Sequence, residues 1–142
     1  MNIFLDANVF FAAVASHMGG SHALFGIDKK KKEIKLIADT YVLKEAKVNI
    51  EKKLGPQKLP DFYFCIAQLD HVAETRVTQE QKEIFSPFIN AKDIAVLVGA
   101  MEGKADMLVT LDRADFRNET MEKRKWPFKI LSPGECLREM VE

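Results

Sequence analysis

Cysteine is scarce in this chain, a net charge is absent, and its longest uncharged run is interrupted by polar residues; each shortage removes a class of protein. Cys65 and Cys136 lie far apart and outside any CxxC or Cys/His ligand spacing, which argues for two reduced thiols over a disulfide framework or a zinc site. His17, His22 and His71 likewise show no metal-ligand spacing. Lys plus Arg number 21 and Asp plus Glu 21, so the global electrostatic sign of a polyanion binder is missing, and any such partner needs a local mechanism. No internal repeat, low-complexity tract or Ser/Gly linker is present.

Residues 7–27 carry no formal charge and are nominally long enough to span a bilayer. Their middle is too polar for that: Ser16, His17, Gly19, Gly20, Ser21 and His22 would sit in hydrocarbon, and the Gly pair reads as a turn between two short helices. A signal peptide fits badly too, because no Lys or Arg precedes the run and Asp6 interrupts it. The expectation is a soluble, cytoplasmic protein with no membrane attachment. Hydrophobic residues make up 47% of 142, enough for one core. A chain of this size buries roughly 70% of its unfolded surface, which predicts one domain over residues 1–142 and no disordered chain.

Ile3-Phe4-Leu5 reads as a first strand, ending at Asp6. Val9, Phe10, Ala13 and Val14 recur at the helical period, and Gly19-Gly20 would close that helix. Ser21 is positioned to cap a second helix through about Lys31. A strand over 34–38 follows, then a helix from Thr40 that carries Tyr41, Leu43, Ala46 and Ile50 and stops at Gly55-Pro56. Residues 60–69 suggest a short apolar helix and 71–77 a weak strand. The run 93–101 is too long for a typical strand and apolar all round, which predicts a buried helix closed by Gly103. Residues 107–111 predict a central strand ending at Asp112, and 128–131 a last strand before a helix that Pro133 opens. Strands alternating with helices imply an α/β fold with a parallel sheet of about five strands, covered on both faces.

In such sheets ligands gather beyond the carboxyl ends of the strands. Asp6 in IFLDANVFF and Asp112 in MLVTLDRADF are both predicted there. Each has a plain alternative, since an Asp after a strand often caps the next helix. Asp93 heads an otherwise apolar helix, where capping is again the alternative. Glu45 sits five residues beyond Thr40, outside the capping-box position, with Tyr41, Val42 and Val48 as apolar helical neighbours. A partly buried Glu needs a partner.

These segments carry a resemblance. LDANVFFAAV, TYVLKEAKVNIEKKLG, KDIAVLVGAMEGKADMLVTLDRADF and ILSPGECL together resemble the PIN-domain family, and most closely the small stand-alone bacterial and archaeal PIN proteins classed as toxins of toxin–antitoxin pairs. The match spans nearly the whole chain, and its third block is the most specific. The resemblance implies a three-layer α/β fold, an acidic pocket binding Mg²⁺ or Mn²⁺, and hydrolysis of RNA phosphodiester bonds. It places the family's acids on Asp6, Glu45, Asp93 and Asp112, an auxiliary acid on Asp115, and supporting polar groups on Asn8 and Thr110. It also implies a homodimer and a cognate antitoxin. Leu111 departs from the Gly common before the last acid, and a larger side chain there is expected to narrow the pocket. Asp106 matches a frequent family acid but begins the strand whose far end is the site, so its role reads as structural.

The chemistry asks for such an arrangement on its own terms. Two carboxylates about 5 Å apart repel by roughly 3 kcal/mol at an effective dielectric near 20, so converging acids need protons or a metal. Hard oxygen ligands select Mg²⁺ or Mn²⁺, and a bound metal acidifies water and stabilises charge on phosphate oxygens. Asp6, Asp93 and Asp112 are expected to hold the metal directly or through water, Glu45 to orient metal or water, and Asp115 to complete a second position. Lys92, Arg113 and Arg117 are candidate phosphate contacts. The Lys123-Arg124-Lys125-Trp126 cluster and the Lys29–Lys32 run read first as solvated faces, with Trp126 a core residue before a base-stacking one. Setting five pocket acids aside leaves a mildly basic remainder. Two other readings stay open: a haloacid-dehalogenase-like phosphatase, against which Asn8 stands where that family has an Asp, and a non-catalytic module that binds RNA or an antitoxin.

Overall fold

The computed structural model describes residues 1–31 and 33–141. Lys32, the last of the four-lysine run, lies outside them. Five strands form one parallel sheet: β1 (Asn2–Leu5), β2 (Lys35–Asp39), β3 (His71–Ala73), β4 (Met107–Val109) and β5 (Lys129–Leu131), in the order β3-β2-β1-β4-β5. Phe4 pairs with Ile37 on one side and Leu108 on the other. Ile3, Phe4, Leu5, Leu36 and Leu108 are fully buried, which is why the central strands read as continuous apolar runs and not as alternating patterns.

The order reverses at β1. The chain builds outward from β1 to β3, then returns to lay β4 against β1's other edge. A crevice at the carboxyl ends of β1 and β4 follows from that switch. Over it stand α1 (Ala7–Ala15), α3 (Thr40–Lys53), α6 (Ala91–Glu102) and α7 (Arg113–Phe116) once the intervening α2 (Gly20–Phe25), α4 (Leu59–Ala67) and α5 (Gln79–Phe85) are counted. The chain closes with α8 (Glu119–Glu122) and α9 (Pro133–Val141). Helix α6 is apolar on nearly every face and packs so close to β1 that a Cβ on Gly99 would lie 2.8 Å from Phe4 Cζ. Among the described residues no helix is long and apolar enough to cross a membrane.

Several boundaries differ from the sequence expectation. Gly19 and Gly20 open α2, whose N-cap Gly19 makes no side-chain hydrogen bond, so Ser21 is not the cap. That helix stops at Phe25 and not near Lys31, and Lys29 beyond it donates to Gln68 O at 2.8 Å and Asp70 Oδ2 at 2.9 Å. A lysine of the basic run therefore fastens one loop to another. Helix α3 does begin at Thr40, and its cap is Asp39, whose Oδ1 accepts from Tyr41 N at 2.9 Å. Its Oδ2 accepts from Thr75 N at 2.8 Å, which draws the chain out of the sheet and leaves β3 three residues long. Strand β4 stops at Val109; beyond it the Thr110 hydroxyl bonds Asp6 and the Leu111 N–H donates to Asn8 Oδ1.

Asp106 is structural, its Oδ2 accepting from Asn2 N at 2.7 Å across the strand starts. Both cysteines are free and buried, and burial pushes the Cys65 thiol up to about 11 and that of Cys136 to about 12, so neither is a ready nucleophile. Trp126 packs against Phe85, Phe88 and Phe128 and donates from Nε1 to Met121 O at 2.9 Å. Arg124 lies over that cluster, 5.0 Å from the Trp126 ring centroid. Half of the basic cluster thus serves packing.

Candidate metal centre at the sheet switch point

Asp6 follows β1 directly, and its two oxygens have separate duties. Oδ1 accepts from Ala7 N at 2.7 Å, capping α1, while Oδ2 accepts from Thr110 Oγ1 at 2.8 Å and Asn8 Nδ2 at 3.3 Å. The capping and site readings of this residue coexist because a carboxylate offers about four lone-pair directions. Thr110 is used to capacity: its hydroxyl donates to Asp6 and accepts from Asp112 N at 3.1 Å and Asn8 Nδ2 at 3.2 Å. Asn8 Oδ1 in turn accepts from Leu111 N at 3.0 Å. The two supporting residues bind the ends of β1 and β4 into one frame. Burial raises the Asp6 carboxyl above its ordinary value, the charges of Glu45 and Asp112 add to the rise, and the Thr110 and Ala7 bonds oppose it.

Helix α6 begins at Ala91, which puts Asp93 in its first turn; Asn90 holds the N-cap position without a side-chain bond. Asp93 is only 8% exposed, and its Oδ2 is a buried oxygen without a hydrogen-bond partner. Burial, then the proximity of Asp115 and Asp6, raises its carboxyl to about 7, while the hydrogen bond from Asp93 lowers that of Asp115. Of the two, Asp93 is the one disposed to hold a proton. Asp112 caps α7 through Oδ1, which accepts from Asp115 N at 3.0 Å. One oxygen from each of Asp93, Asp112 and Asp115 lies within 4.8 Å of the others.

Glu45 reaches the same place from α3. A cavity of about 220 Å³ is lined by Asp6, Asn8, Glu45, Lys92, Asp93 and Asp112, together with Phe11, Asn49 and Lys53. The structure thus gathers the four principal acids around one cavity but divides them: Asp115 joins Asp93 and Asp112 in the tight cluster, whereas Asp6 and Glu45 line the wall without entering it. Leu111 is 46% exposed and is not among the lining residues, so the expected narrowing does not occur.

The cationic candidates separate. Lys92 lines the cavity. Arg113 is exposed at the first position of α7. Arg117 is taken by a two-pronged contact with Glu135, whose carboxyl is held down at about 2 by the Ser132 backbone N–H first and by this contact next. It lines a different cavity, beside Trp126, and not the one lined by the acids. Sequence reasoning passed over Asn49 and Lys53. Their signal was present, because Glu45, Asn49 and Lys53 are spaced four apart and share one face of α3.

The donor set fits a hard divalent cation: all carboxylate oxygens, one of them orphaned and buried in Asp93. No protein-family model matches the chain, and no curated protein matches it in sequence. Solved structures do match in fold. The crystal structure of VapBC2 from Rickettsia felis, bound to a DNA fragment from its promoter, aligns with a TM-score of 0.66 and 17% identity over 92% of this chain and 97% of that one. PAE2754 from Pyrobaculum aerophilum aligns with a TM-score of 0.66 and 19% identity over 100% of this chain and 97% of the other. In fold, this chain is a small PIN-like α/β protein whose acids meet at the switch point of a parallel sheet.

Proposed function

We propose that the protein is a metal-dependent ribonuclease, an endonuclease that hydrolyses RNA phosphodiester bonds with a metal-activated water. The observation that carries this reading is the convergence of Asp93, Asp112 and Asp115 with an unsatisfied buried oxygen at the mouth of the sheet. Asp93, Asp112 and Asp115 would hold Mg²⁺ or Mn²⁺, with Asp6 and Glu45 on the adjoining wall to bind it through water or to orient the attacking water. When bound, the ion supplies a water of lowered pKa and positive charge for the phosphate oxygens. The chain's own groups do the rest: Thr110 and Asn8 hold Asp6 in one orientation, and Lys53 and Lys92 offer cationic contacts to the substrate backbone.

Asn8 bears on the phosphatase alternative. That chemistry needs a proton donor at this position, and the Asn8 amide is instead committed to Asp6, Thr110 and Leu111. The partners in this reading are an RNA substrate, a second copy of the chain and a cognate antitoxin, the last in line with the Rickettsia neighbour being a complex. Asp6→Asn is the decisive variant. It should abolish Mn²⁺-dependent cleavage of single-stranded RNA with the circular dichroism spectrum unchanged; equal cleavage by the variant would overturn the assignment. Growth arrest on expression alone, relieved by the neighbouring reading frame, tests the toxin role separately.

A further inference from the structure

The acidic cavity has a larger neighbour. A concavity of about 480 Å³ is walled by Tyr41, Val77, Ile94 and Ala95, with the exposed side chains of Lys82 and Lys92 also lining it. Lys92 lines both cavities, so the two adjoin at that residue. Tyr41 lines the larger one and is bonded to the shared residue. Its hydroxyl donates to Lys92 O at 3.0 Å, which ties the ring on α3 to the start of α6, and 40% of the residue remains exposed. Neither lysine is ion-paired with another described residue.

A held, half-exposed aromatic ring next to an apolar wall, with free cationic groups beside it, has the chemistry that single-stranded nucleic acid requires. The ring stacks a base, the wall shelters its apolar faces from water, and the lysines meet phosphates. An uncharged apolar partner would use the wall but would leave two unpaired lysines facing it. We propose that this trough receives one unstacked base of a single-stranded RNA, stacked on Tyr41, while Lys82 and Lys92 hold the flanking phosphates and the adjacent phosphodiester lies over the acids. The assignment rests on the ribonuclease reading and adds to it a subsite: a stacking place at Tyr41 for one unpaired base beside the scissile bond, which a duplex cannot present without unstacking.

The test has two arms. In the first, cleavage of an unstructured RNA oligonucleotide with Mn²⁺ is followed to saturation. Tyr41→Ala should raise KM by about five-fold or more, the loss expected for one stacked base, with the effect on KM and not on kcat. Tyr41→Phe, which keeps the ring, should stay near the wild type. Ala95→Phe, which fills the trough without deleting any core side chain, should reproduce the defect. In the second arm, a single-stranded RNA oligonucleotide carrying 2-aminopurine, bound in EDTA so that no metal-activated water can cleave it, should lose fluorescence on binding the wild type and keep it on binding Tyr41→Ala. Unchanged KM in both Tyr41→Ala and Ala95→Phe, together with equal quenching, would refute the trough. A wild-type chain that cleaves no RNA would sink the ribonuclease reading, and the fluorescence arm would then decide the trough by itself.

Discussion

Replacing Asp93 by Asn should make the metal-free protein more stable while removing its affinity for metal. The side chain is 8% exposed, its Oδ2 has no partner, and burial followed by the nearby charges of Asp115 and Asp6 lifts its carboxyl from 3.8 to about 7. Above pH 7 that displacement corresponds to roughly 4 kcal/mol against the carboxylate as an upper bound, from 1.36 kcal/mol per pH unit. The lowered Asp115 acts in the opposite sense, and the unfolded chain is not a random coil, so a net gain of about 1–3 kcal/mol is the working figure. In a chain of this size that is about 3–10 °C in Tm. The sign follows from proton counts. Between pH 3.8 and about 7 the native state keeps a proton that the unfolded state has lost, so wild-type stability from this group falls as the pH rises through the window. Asn at the same position has no such dependence and can still donate to Asp115. Thermal melts followed by circular dichroism in EDTA should therefore show Asp93→Asn above the wild type at pH 8, with the gap narrowing steadily toward pH 4. Adding Mn²⁺ at pH 8 should raise the wild-type Tm and leave the variant unmoved. A gap that stays constant with pH, or equal stabilisation of both proteins by Mn²⁺, would refute the reasoning.

Thr110→Val removes the hydroxyl that donates to Asp6 and accepts from Asp112 N and Asn8; it should cost about 1–3 kcal/mol in urea denaturation and raise the Asp6 carboxyl further, with Thr110→Ser restoring both. Lys53→Ala should weaken RNA binding and reduce the slope of log affinity against log salt by about 0.7, the value for one phosphate contact to a single strand. Arg117→Ala, whose guanidinium is engaged by Glu135, should leave that slope unchanged and lower the Tm instead. Gly99→Ala should destabilise the fold by about 1–3 kcal/mol despite its better helix propensity, because the new Cβ would meet the buried Phe4 ring at 2.8 Å and Thr75 Oγ1 at 3.3 Å; a variant as stable as the wild type by the same denaturation assay would show that β1 and α6 are free to part.

The fold was legible where burial on both faces writes a continuous apolar run. Ile3 to Leu5, Leu36 to Ala38 and Met107 to Val109 are wholly buried in the sheet and were readable as strands for that reason. Their ends were harder to read, because strand ends are set by competing hydrogen bonds: Asp39 draws Thr75 out of β3, and Thr110 turns to Asp6. The residues around Gly19 and Gly20 were ambiguous because glycine serves equally to close one helix or open the next, and only packing chose the latter.

The same division runs through the site. Asp6 and Asp112 were readable as acids beyond parallel strands from local pattern, Asp93 as the acid heading an apolar helix and Glu45 only faintly; the motif resemblance grouped the four and added Asp115. Through-space distances decided the rest. Residues 93, 112 and 115 form the tight cluster while Asp6 is bonded to Thr110; Arg117 is captured by Glu135, and Lys53 enters the cavity from the face of α3 that also carries Glu45 and Asn49. The chain's own order determined which elements form and which carboxylates stand at the sheet's edge. Which of them share a proton, which oxygen is left without a partner, and which cations face the crevice depended on desolvation and on distances of a few ångströms between segments remote in sequence, and only the tertiary structure sets those.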